Sequence, residues 1–195
     1  MNWITQPLIL EGEKVKLVPL SNEYFDELTG IAADKRIWEF LSIPGWQKEE
    51  LQIALKSALL KRMNGEEYPF VIIDKLTNKA IGSTRYMEID EKFRKLEIGW
   101  TWYTPEYWGT KYNFECKLLL LTHAFESMGC VRVQLKTWDK NLRSQAAIKK
   151  IGGKLEGTLR NHMIRYDGQI RNTVMFSIID SEWPEAKQAL IAKLK

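Results

Sequence analysis

The chain has 195 residues, of which 45% are apolar, so it can bury a sizeable hydrophobic core but is too short for a large multidomain enzyme. Its 29 Lys and Arg residues against 25 Asp and Glu residues leave a net charge of only +4, and the basic residues are scattered along the chain. This composition excludes a largely disordered protein and gives little support to nucleic-acid binding, since neither a basic block nor a nucleic-acid-binding motif accompanies it.

The sequence shows no sign of export or of a membrane segment. Residues 1–10 lack the basic and apolar regions of a signal peptide, and the longest aliphatic run, residues 118–121, is much too short to cross a bilayer. Cys116 and Cys130 have no Cys or His neighbour at metal-ligand spacing. We therefore expect a cytoplasmic protein with reduced cysteines, without a disulfide framework and without a metal site.

Hydrophobic periodicity predicts one strand and two helices in the first third of the chain. Residues 15–20 alternate with period two, and residues 24–31 follow with helical spacing after Ser21-Asn22, a pair suited to a helix N-cap. After the Pro44-Gly45 loop, residues 51–63 again show helical spacing and end at an Asn-Gly pair.

Three strand-like segments come next, at residues 70–73, 80–86 and 96–103, and short polar turns join them. This spacing predicts an antiparallel meander. Strict alternation in the third segment would put Ile98, Trp100 and Trp102 on one face of the sheet, with Glu97, Gly99, Thr101 and Tyr103 on the other.

The strongest helical pattern begins at Asn113 and ends at Gly129, and a clean alternating strand follows at residues 131–138. A strand, a crossover helix and a second strand form a right-handed unit with parallel strands. We therefore expect residues 131–138 to lie parallel to the strand that holds Trp100 and to diverge from it towards the strand ends.

The remaining residues read as a short helix, a hairpin and a terminal helix. The short helix opens at residues 141–144 and stops at Gly152-Gly153. The hairpin pairs residues 154–165 with residues 173–179 around Asp167-Gly168, a favoured turn pair. No linker or repeat divides the chain, so residues 1–195 are interpreted as one domain.

Few catalytic motifs fit this chain, because it has no GxSxG elbow, Walker loop, HExxH motif or EF-hand loop. Residues 107–113 link a strand to the N-terminus of the strongest helix. Backbone N–H groups and the positive end of the helix dipole meet at such a junction, which suits a pyrophosphate. Gly109 would allow a tight turn there, and Lys111 could add a positive charge.

Several sequence segments together are typical of one protein family. They are Glu97-Ile98-Gly99-Trp100; Tyr107-Trp108-Gly109 with Glu115; His123-Ala124-Phe125-Glu126 with Gly129-Cys130; Asn141-Leu142-Arg143-Ser144 with Ala147; Gly152-Gly153-Lys154-Leu155-Glu156-Gly157; and Asp167-Gly168 before Ser177-Ile178-Ile179. On these segments the chain resembles the GCN5-related N-acetyltransferases (GNAT), and within them the ribosomal-protein N-terminal acetyltransferase (RimJ/RimL-like) branch. The resemblance covers residues 15–183.

The resemblance implies an α/β (α+β) fold with a twisted, mostly antiparallel mixed sheet, one parallel strand pair that splays apart, and flanking helices. It implies an enzyme that transfers an acetyl group from acetyl-CoA to a primary amine by direct attack in a ternary complex, with CoA as the second product. The acceptor stays open among a protein N-terminus, an aminoglycoside, a polyamine and an amino acid. A homodimer also stays open, and no nucleic-acid or membrane partner is expected.

The resemblance also assigns candidate site residues. The residues expected to bind acetyl-CoA are Trp100, Thr101, Trp102, Trp108, Gly109, Thr110, Lys111, Tyr112, Asn113 and Asn141. Asn141 and Ser144 are expected on the side of the leaving thiolate, with His162 or Glu97 as the group that accepts a proton from the amine.

The phosphate loop departs from the usual pattern of the family, Gln/Arg-x-x-Gly-x-Gly/Ala. Trp108 stands at its first position, Lys111 at the principal glycine and Asn113 at the last small residue. A phosphate contact from the Lys111 side chain is therefore one expectation. The alternative function is a non-catalytic module of the same fold that binds acyl-CoA or a protein partner, and a nucleic-acid binder is a weaker third reading.

Overall fold

The computed structural model describes residues 3–195. Its strands are β1 (Leu10–Glu11), β2 (Val15–Pro19), β3 (Tyr68–Asp74), β4 (Lys79–Asp90), β5 (Lys95–Tyr103), β6 (Arg132–Trp138), β7 (Lys154–Ile164) and β8 (Ile170–Ile179). Its α-helices are α1 (Phe25–Ile31), α2 (Lys48–Met63), α3 (Tyr112–Thr122), α4 (Leu142–Lys150) and α5 (Trp183–Leu194). None of the helices within residues 3–195 is long and apolar enough to cross a membrane.

The strands form one eight-stranded sheet in the order β1-β2-β3-β4-β5-β6-β8-β7. Neighbouring strands are antiparallel except for β5 and β6, which run parallel. Helix α3 connects these two strands, as a parallel pair requires. The expectation of a mixed, mostly antiparallel sheet with one parallel pair and flanking helices is therefore confirmed.

Each face of the sheet carries a hydrophobic core. On the face of α3, α4 and α5, the core includes Phe70, Tyr86 and Leu120. On the face of α1 and α2, it includes Trp38 and Leu55. Both faces of the central strands are covered, and for this reason β3 is buried along its whole length.

Some element boundaries differ from those expected. The two-residue strand β1 is too short to leave a periodic pattern in the sequence. Helix α3 begins at Tyr112 rather than Asn113, and a π-helical turn, His123–Ser127, extends it. Five residues, 165–169, separate β7 from β8, and the N–H of Arg165 bonds to the carbonyl of Gln169 around Gly168, whose φ is 78°.

A buried carboxylate joins α3 to the N-terminal hairpin. Glu115, in the first turn of α3, is 7% exposed and accepts hydrogen bonds from the backbone N–H groups of Glu13 (2.5 Å), Lys14 (2.9 Å) and Val15 (3.1 Å). A Cβ at Gly12 would lie 2.5 Å from its Oε1 atom. The turn between β1 and β2 is thus built around this carboxylate, which holds the N-terminus of α3 against the sheet.

Replacement of Glu115 by Ala should lower the free energy of unfolding by about 3 kcal/mol, because it removes charged hydrogen bonds and leaves backbone N–H groups, among them that of the buried Val15, without acceptors. Urea denaturation would measure this change. Glu13→Ala is the matched control, since Glu13 is exposed and contributes only its backbone N–H. Equal denaturation midpoints for the two variants would contradict the assignment.

Candidate active site

The parallel strands β5 and β6 pair over a short distance and then separate. Their register runs only from Lys95 opposite Arg132 to Glu97 opposite Gln134. Strand β6 stays paired with β8 up to Trp138, whereas β5 stays paired with β4. The gap between the two strands is a cleft with a cavity volume of about 350 Å³, lined by residues of both strands, α3 and α4.

A β-bulge in β5 bends this strand away from β6. Trp100 has a φ of 53°, and the register between β4 and β5 shifts between Ser83 and Arg85, so that β5 carries one extra residue. The bulge breaks the alternation: Ile98 belongs to the core beside α3, whereas Trp100 and Trp102 pack in the opposite core. The expectation that these three side chains share one face is wrong for Ile98.

The unusual backbone of Trp100 is held by contacts of its ring. The guanidinium of Arg85 lies 4.1 Å from the ring centroid, and the ring of Trp38 makes an edge contact at 6.5 Å. Arg85 is itself fixed, because its Nη1 atom donates a hydrogen bond of 2.9 Å to the buried carboxylate of Glu67. The buried ion pair between Arg85 and Glu67 therefore stabilises the bulge through the contact of Arg85 with the ring of Trp100.

Glu97 lies at the point where the two strands separate, with its side chain in the cleft. It is 1% exposed, and its Oε2 atom accepts a hydrogen bond from Gln134 and forms an ion pair with Lys136, both at 2.9 Å. Burial raises the pKa of Glu97 above its ordinary value of 4.5, although Lys136 and Gln134 act in the opposite direction. Gly99 leaves room for this carboxylate, because a Cβ there would lie 2.7 Å from Oε1.

The N-terminus of α4 lies on the opposite wall of the cleft. Asn141 is the N-cap residue of α4, and its Oδ1 atom accepts a hydrogen bond of 3.0 Å from the N–H of Ser144. Both residues line the cavity. The cap fixes the side chain of Asn141 at the cavity wall, so its structural role and a role in binding are compatible.

The loop before α3 is anchored to the turn between β3 and β4. The hydroxyl groups of Tyr107 and Tyr112 donate hydrogen bonds of 3.1 and 2.9 Å to the carboxylate of Asp74. Thr110 donates a hydrogen bond of 2.6 Å to the carbonyl of Tyr107. The loop therefore has a fixed conformation at the place where the sequence predicts a phosphate site.

Gly109 and Asn113 line the cavity at the start of α3. Gly109 has a φ of 74°, and within residues 3–195 nothing lies within 4 Å of the place of its missing Cβ. A larger residue would be strained by the backbone conformation rather than by contact. The first turn of a helix has N–H groups without acceptors in the helix, so this end of the cleft suits an anion.

Two residues of this loop have partners elsewhere in the chain. The Nζ atom of Lys111 donates a hydrogen bond of 2.8 Å to the carbonyl of Leu194, at the end of α5, and the phosphate contact expected of this side chain stays a prediction. The indole of Trp108 donates a hydrogen bond of 3.0 Å to the carbonyl of Tyr103 and stacks with Arg143 at 4.1 Å. Trp108 thus fills the space between the end of β5 and α4.

His162 lies outside the cleft. It is exposed on β7, in a separate surface depression, and its Nδ1 atom is 3.0 Å from the hydroxyl of Thr173. The register of β7 shifts between Leu159 and Met163, and Asn161 has a φ of 49°, so this part of the strand does not follow regular alternation. Of the two candidates for accepting a proton from the amine, the structure brings only Glu97 into the cleft.

A buried lysine in the cleft was missed by sequence reasoning. Lys117 of α3 is 5% exposed, lines the cavity, and donates a hydrogen bond of 2.7 Å to the hydroxyl of Thr101, which is 2.7 Å from that of Thr84. Burial lowers the pKa of Lys117 from its ordinary value of 10.5 to about 8, and the neighbouring Cys116 acts in the opposite direction. The available signal was its position four residues after Asn113, on the same side of α3.

A mostly antiparallel sheet whose single parallel pair splays around a cleft, with a helix N-terminus at one end and a buried carboxylate where the strands separate, is the arrangement of a GCN5-related acetyltransferase. The sequence model of the family described as "Acetyltransferase (GNAT) domain" matches residues 14–154. The chain belongs to this family, and the resemblance inferred from its motifs is confirmed.

Individual relatives agree with this assignment. The chain is 23% identical over 175 residues to an uncharacterized N-acetyltransferase, p20, of Bacillus licheniformis, covering 89% of this chain and 97% of that protein. It is 29% identical to a GCN5-related N-acetyltransferase from Brucella melitensis, with a TM-score of 0.89 over 98% of this chain and 87% of the other. Mycobacterium smegmatis RimJ, in complex with CoA-disulfide, shares the fold at 19% identity, with a TM-score of 0.81 over 96% and 95%.

Lys117 should make the stability of the protein rise with pH. Its pKa is about 8 in the folded protein and near 10.5 when exposed, so the unfolded chain binds more protons between these values and stability increases with pH there. Between pH 8 and 10.5 the free energy of unfolding of the wild type should rise by about 3 kcal/mol relative to that of Lys117→Met. Chemical denaturation between pH 7 and 10.5 would measure the difference. Lys149→Met, at an exposed lysine of α4, is the control and should show the same increase in stability with pH as the wild type. If the stability of wild type and of Lys117→Met changed with pH in the same way, the assignment would be contradicted.

Proposed function

We propose that the protein transfers an acetyl group from acetyl-CoA to a primary amine, by direct attack of the amine in a ternary complex. The observation that carries this proposal is the separation of β5 from β6 after Glu97, which opens a cleft from the start of α3 to the carboxylate. Such a cleft exposes strand backbone on one wall and has a helix N-terminus at one end. It therefore suits a long ligand with amide groups and a pyrophosphate.

The fit to acetyl-CoA rests on backbone groups. The edge of β5 at Trp100, Thr101 and Trp102 has no strand partner on the β6 side within the described part of the chain, and would pair with the amides of the pantetheine arm as an added strand would. The first turn of α3 would hold the pyrophosphate. Residues 108–113 shape that end, with Gly109 giving close access and Asn113 at the cavity wall.

The chemistry needs a base for the amine and a proton for the departing thiolate. Acetyl-CoA, when bound, supplies the thioester carbonyl that the amine attacks. Glu97 is suited to accept the proton of the ammonium group, directly or through water, because its raised pKa brings its basicity closer to neutrality. Ser144 on the opposite wall is suited to donate a proton to the thiolate, and Asn141 to contact the arm.

Thiol release from acetyl-CoA tests this function, with amines of all four acceptor classes as partners. Glu97→Gln keeps the shape of the side chain but removes the base, so kcat should fall by about 10²- to 10⁴-fold. In wild type the acidic limb of the pH profile should lie above pH 4.5, because the pKa of Glu97 is raised.

Glu156→Gln is the matched control for Glu97→Gln. Glu156 pairs with Arg132, which together with Ser177 lowers its pKa to about 2, and it lies outside the cleft, so turnover should be unchanged. CoA binding without thiol release from any amine would favour the non-catalytic module.

Gly109→Ala should weaken CoA binding about tenfold, because alanine disfavours the left-handed backbone that brings the loop close to the pyrophosphate. Gly65→Ala is the matched control: Gly65 has a φ of 75°, also without atoms within 4 Å of its missing Cβ among residues 3–195, and it lies at the end of α2. Calorimetry should show weaker binding only for the first variant, although both lose similar stability. Equal CoA affinity for the two variants would place the pyrophosphate elsewhere.

A further inference from the structure

A buried arginine whose Nε atom has no hydrogen-bond partner among the described residues lines the cleft. Arg171 of β8 lines the cavity and is 7% exposed, and its Nε atom has no hydrogen-bond partner within the described part of the chain. Glu97 and Asp139 are close enough to raise the pKa of Arg171, but burial and the nearby Arg165 lower it more strongly. An isolated buried guanidinium is unfavourable unless an anion completes it.

Of the two nearby carboxylates, Glu97 has other partners at its Oε2 atom, whereas Asp139 has a partner at only one of its oxygens. Glu97 is held by Gln134 and Lys136, and the Oδ2 atom of Asp139 accepts a hydrogen bond of 2.8 Å from Asn172. The Oδ1 atom of Asp139 has no hydrogen-bond partner among the described residues, but no hydrogen bond joins it to Arg171, which lines the cavity.

The neighbouring Arg165 is an arginine with a structural role, since it has partners in the fold. It is also buried, and its Nη1 atom has no hydrogen-bond partner among the described residues, but it pairs with Asp167 at 3.3 Å and stacks on the ring of Trp138 at 4.3 Å. Arg165 therefore joins the β7–β8 loop to the end of β6. Among residues 3–195 Arg171 has no such ion pair or ring contact, and the positive charge of Arg165 makes an anion at Arg171 more favourable.

Arg171 lies on the same face of the sheet as the base. Residues two apart in a strand share a face, and Thr173, two residues after Arg171, pairs with Trp138 of β6. Trp138 is two residues after Lys136, which forms the ion pair with Glu97. A ligand on this face can therefore have an amine beside Glu97 and an anion beside Arg171.

We propose that Arg171 binds a carboxylate of the acceptor, so that the acceptor is a small primary amine that carries a carboxylate, such as an α-amino acid. This inference rests on the proposed function. A planar guanidinium can bind a carboxylate through two parallel hydrogen bonds. Polyamines and aminoglycosides are disfavoured because Arg171 and Lys136 repel additional positive charges, and a protein N-terminus has an amide where an amino acid has its carboxylate.

Matched acceptor pairs test this proposal: L-amino acids and their carboxamides, together with spermidine and an amidated peptide. At saturating acetyl-CoA, kcat/KM should be at least about tenfold higher for the free acids that react than for their carboxamides. Arg171→Gln should remove this preference by raising KM for the acids about 10- to 100-fold, without changing KM for acetyl-CoA. Arg171→Lys should restore part of it, and Arg160→Gln, at an exposed arginine of β7, should behave as wild type.

Stability separates a binding role of Arg171 from a structural one. Because Arg171 is buried without a partner, Arg171→Gln should leave Tm unchanged or raise it. A fall of several degrees would show that the arginine holds the fold, and would overturn the proposal. Equal rates for acids and carboxamides, or faster reaction of spermidine or the peptide, would also overturn it.

If the protein does not transfer acetyl groups, the outcome differs from a failure of the carboxylate site alone. In that case no amine releases thiol from acetyl-CoA, and the carboxylate site is decided by calorimetry of the CoA-loaded protein with the same L-amino acids. Heat of binding that disappears in Arg171→Gln would support the site. The absence of heat with wild type would overturn it.

Discussion

The cleft depends on a strained backbone at Trp100. A left-handed conformation of a bulky residue costs about 1–3 kcal/mol, and it persists only where the surroundings enforce it. Here the surroundings are the guanidinium of Arg85, 4.1 Å from the ring, and the carboxylate of Glu67 that fixes Arg85. Because β5 bends at this point while β6 continues straight along β8, the two strands separate, and Glu97 is left at the bottom of the gap.

The same bulge keeps the two cores intact. Before it, Ile98 packs beside α3; after it, Tyr103 packs in that same core and Trp102 packs against α1 and α2. Without the extra residue, one of these large side chains would be on the wrong face, since a shift of one residue exchanges the faces of a strand. The strain at Trp100 is therefore offset by the burial of aromatic residues on both sides of the sheet.

Periodicity and local turn chemistry were sufficient to predict the order of the main elements and the parallel pair. These features depend on residues close together in sequence, or on the handedness of the crossover. The bulge could not be predicted, because a tryptophan gives no signal of a positive φ. The hydrogen bond between Lys111 and Leu194 could not be predicted either, because these residues are 83 positions apart in the sequence.

Charged residues in the cleft were the hardest part of the site to predict. Sequence patterns place lysine and arginine on the surface, because these residues are rarely buried without a partner. Lys117 and Arg171 are exceptions, at 5% and 7% exposure, and they reach the cleft from α3 and from β8. Their burial results from packing between distant elements, so it appears only in the structure.

Glu97, Lys117 and Arg171 place the desolvation cost of three charged side chains in one cleft. Each is a charged side chain withdrawn from water, and desolvation is the largest influence on the pKa of each of them. The hydrophobic cores on the two faces of the sheet supply the stability that tolerates this cost. An anion that pairs with Arg171 would recover part of this cost on binding, because it would stabilise the folded state and not the unfolded chain. The burial of these charges thus lowers the stability of the free protein and would favour the binding of a ligand with complementary charge.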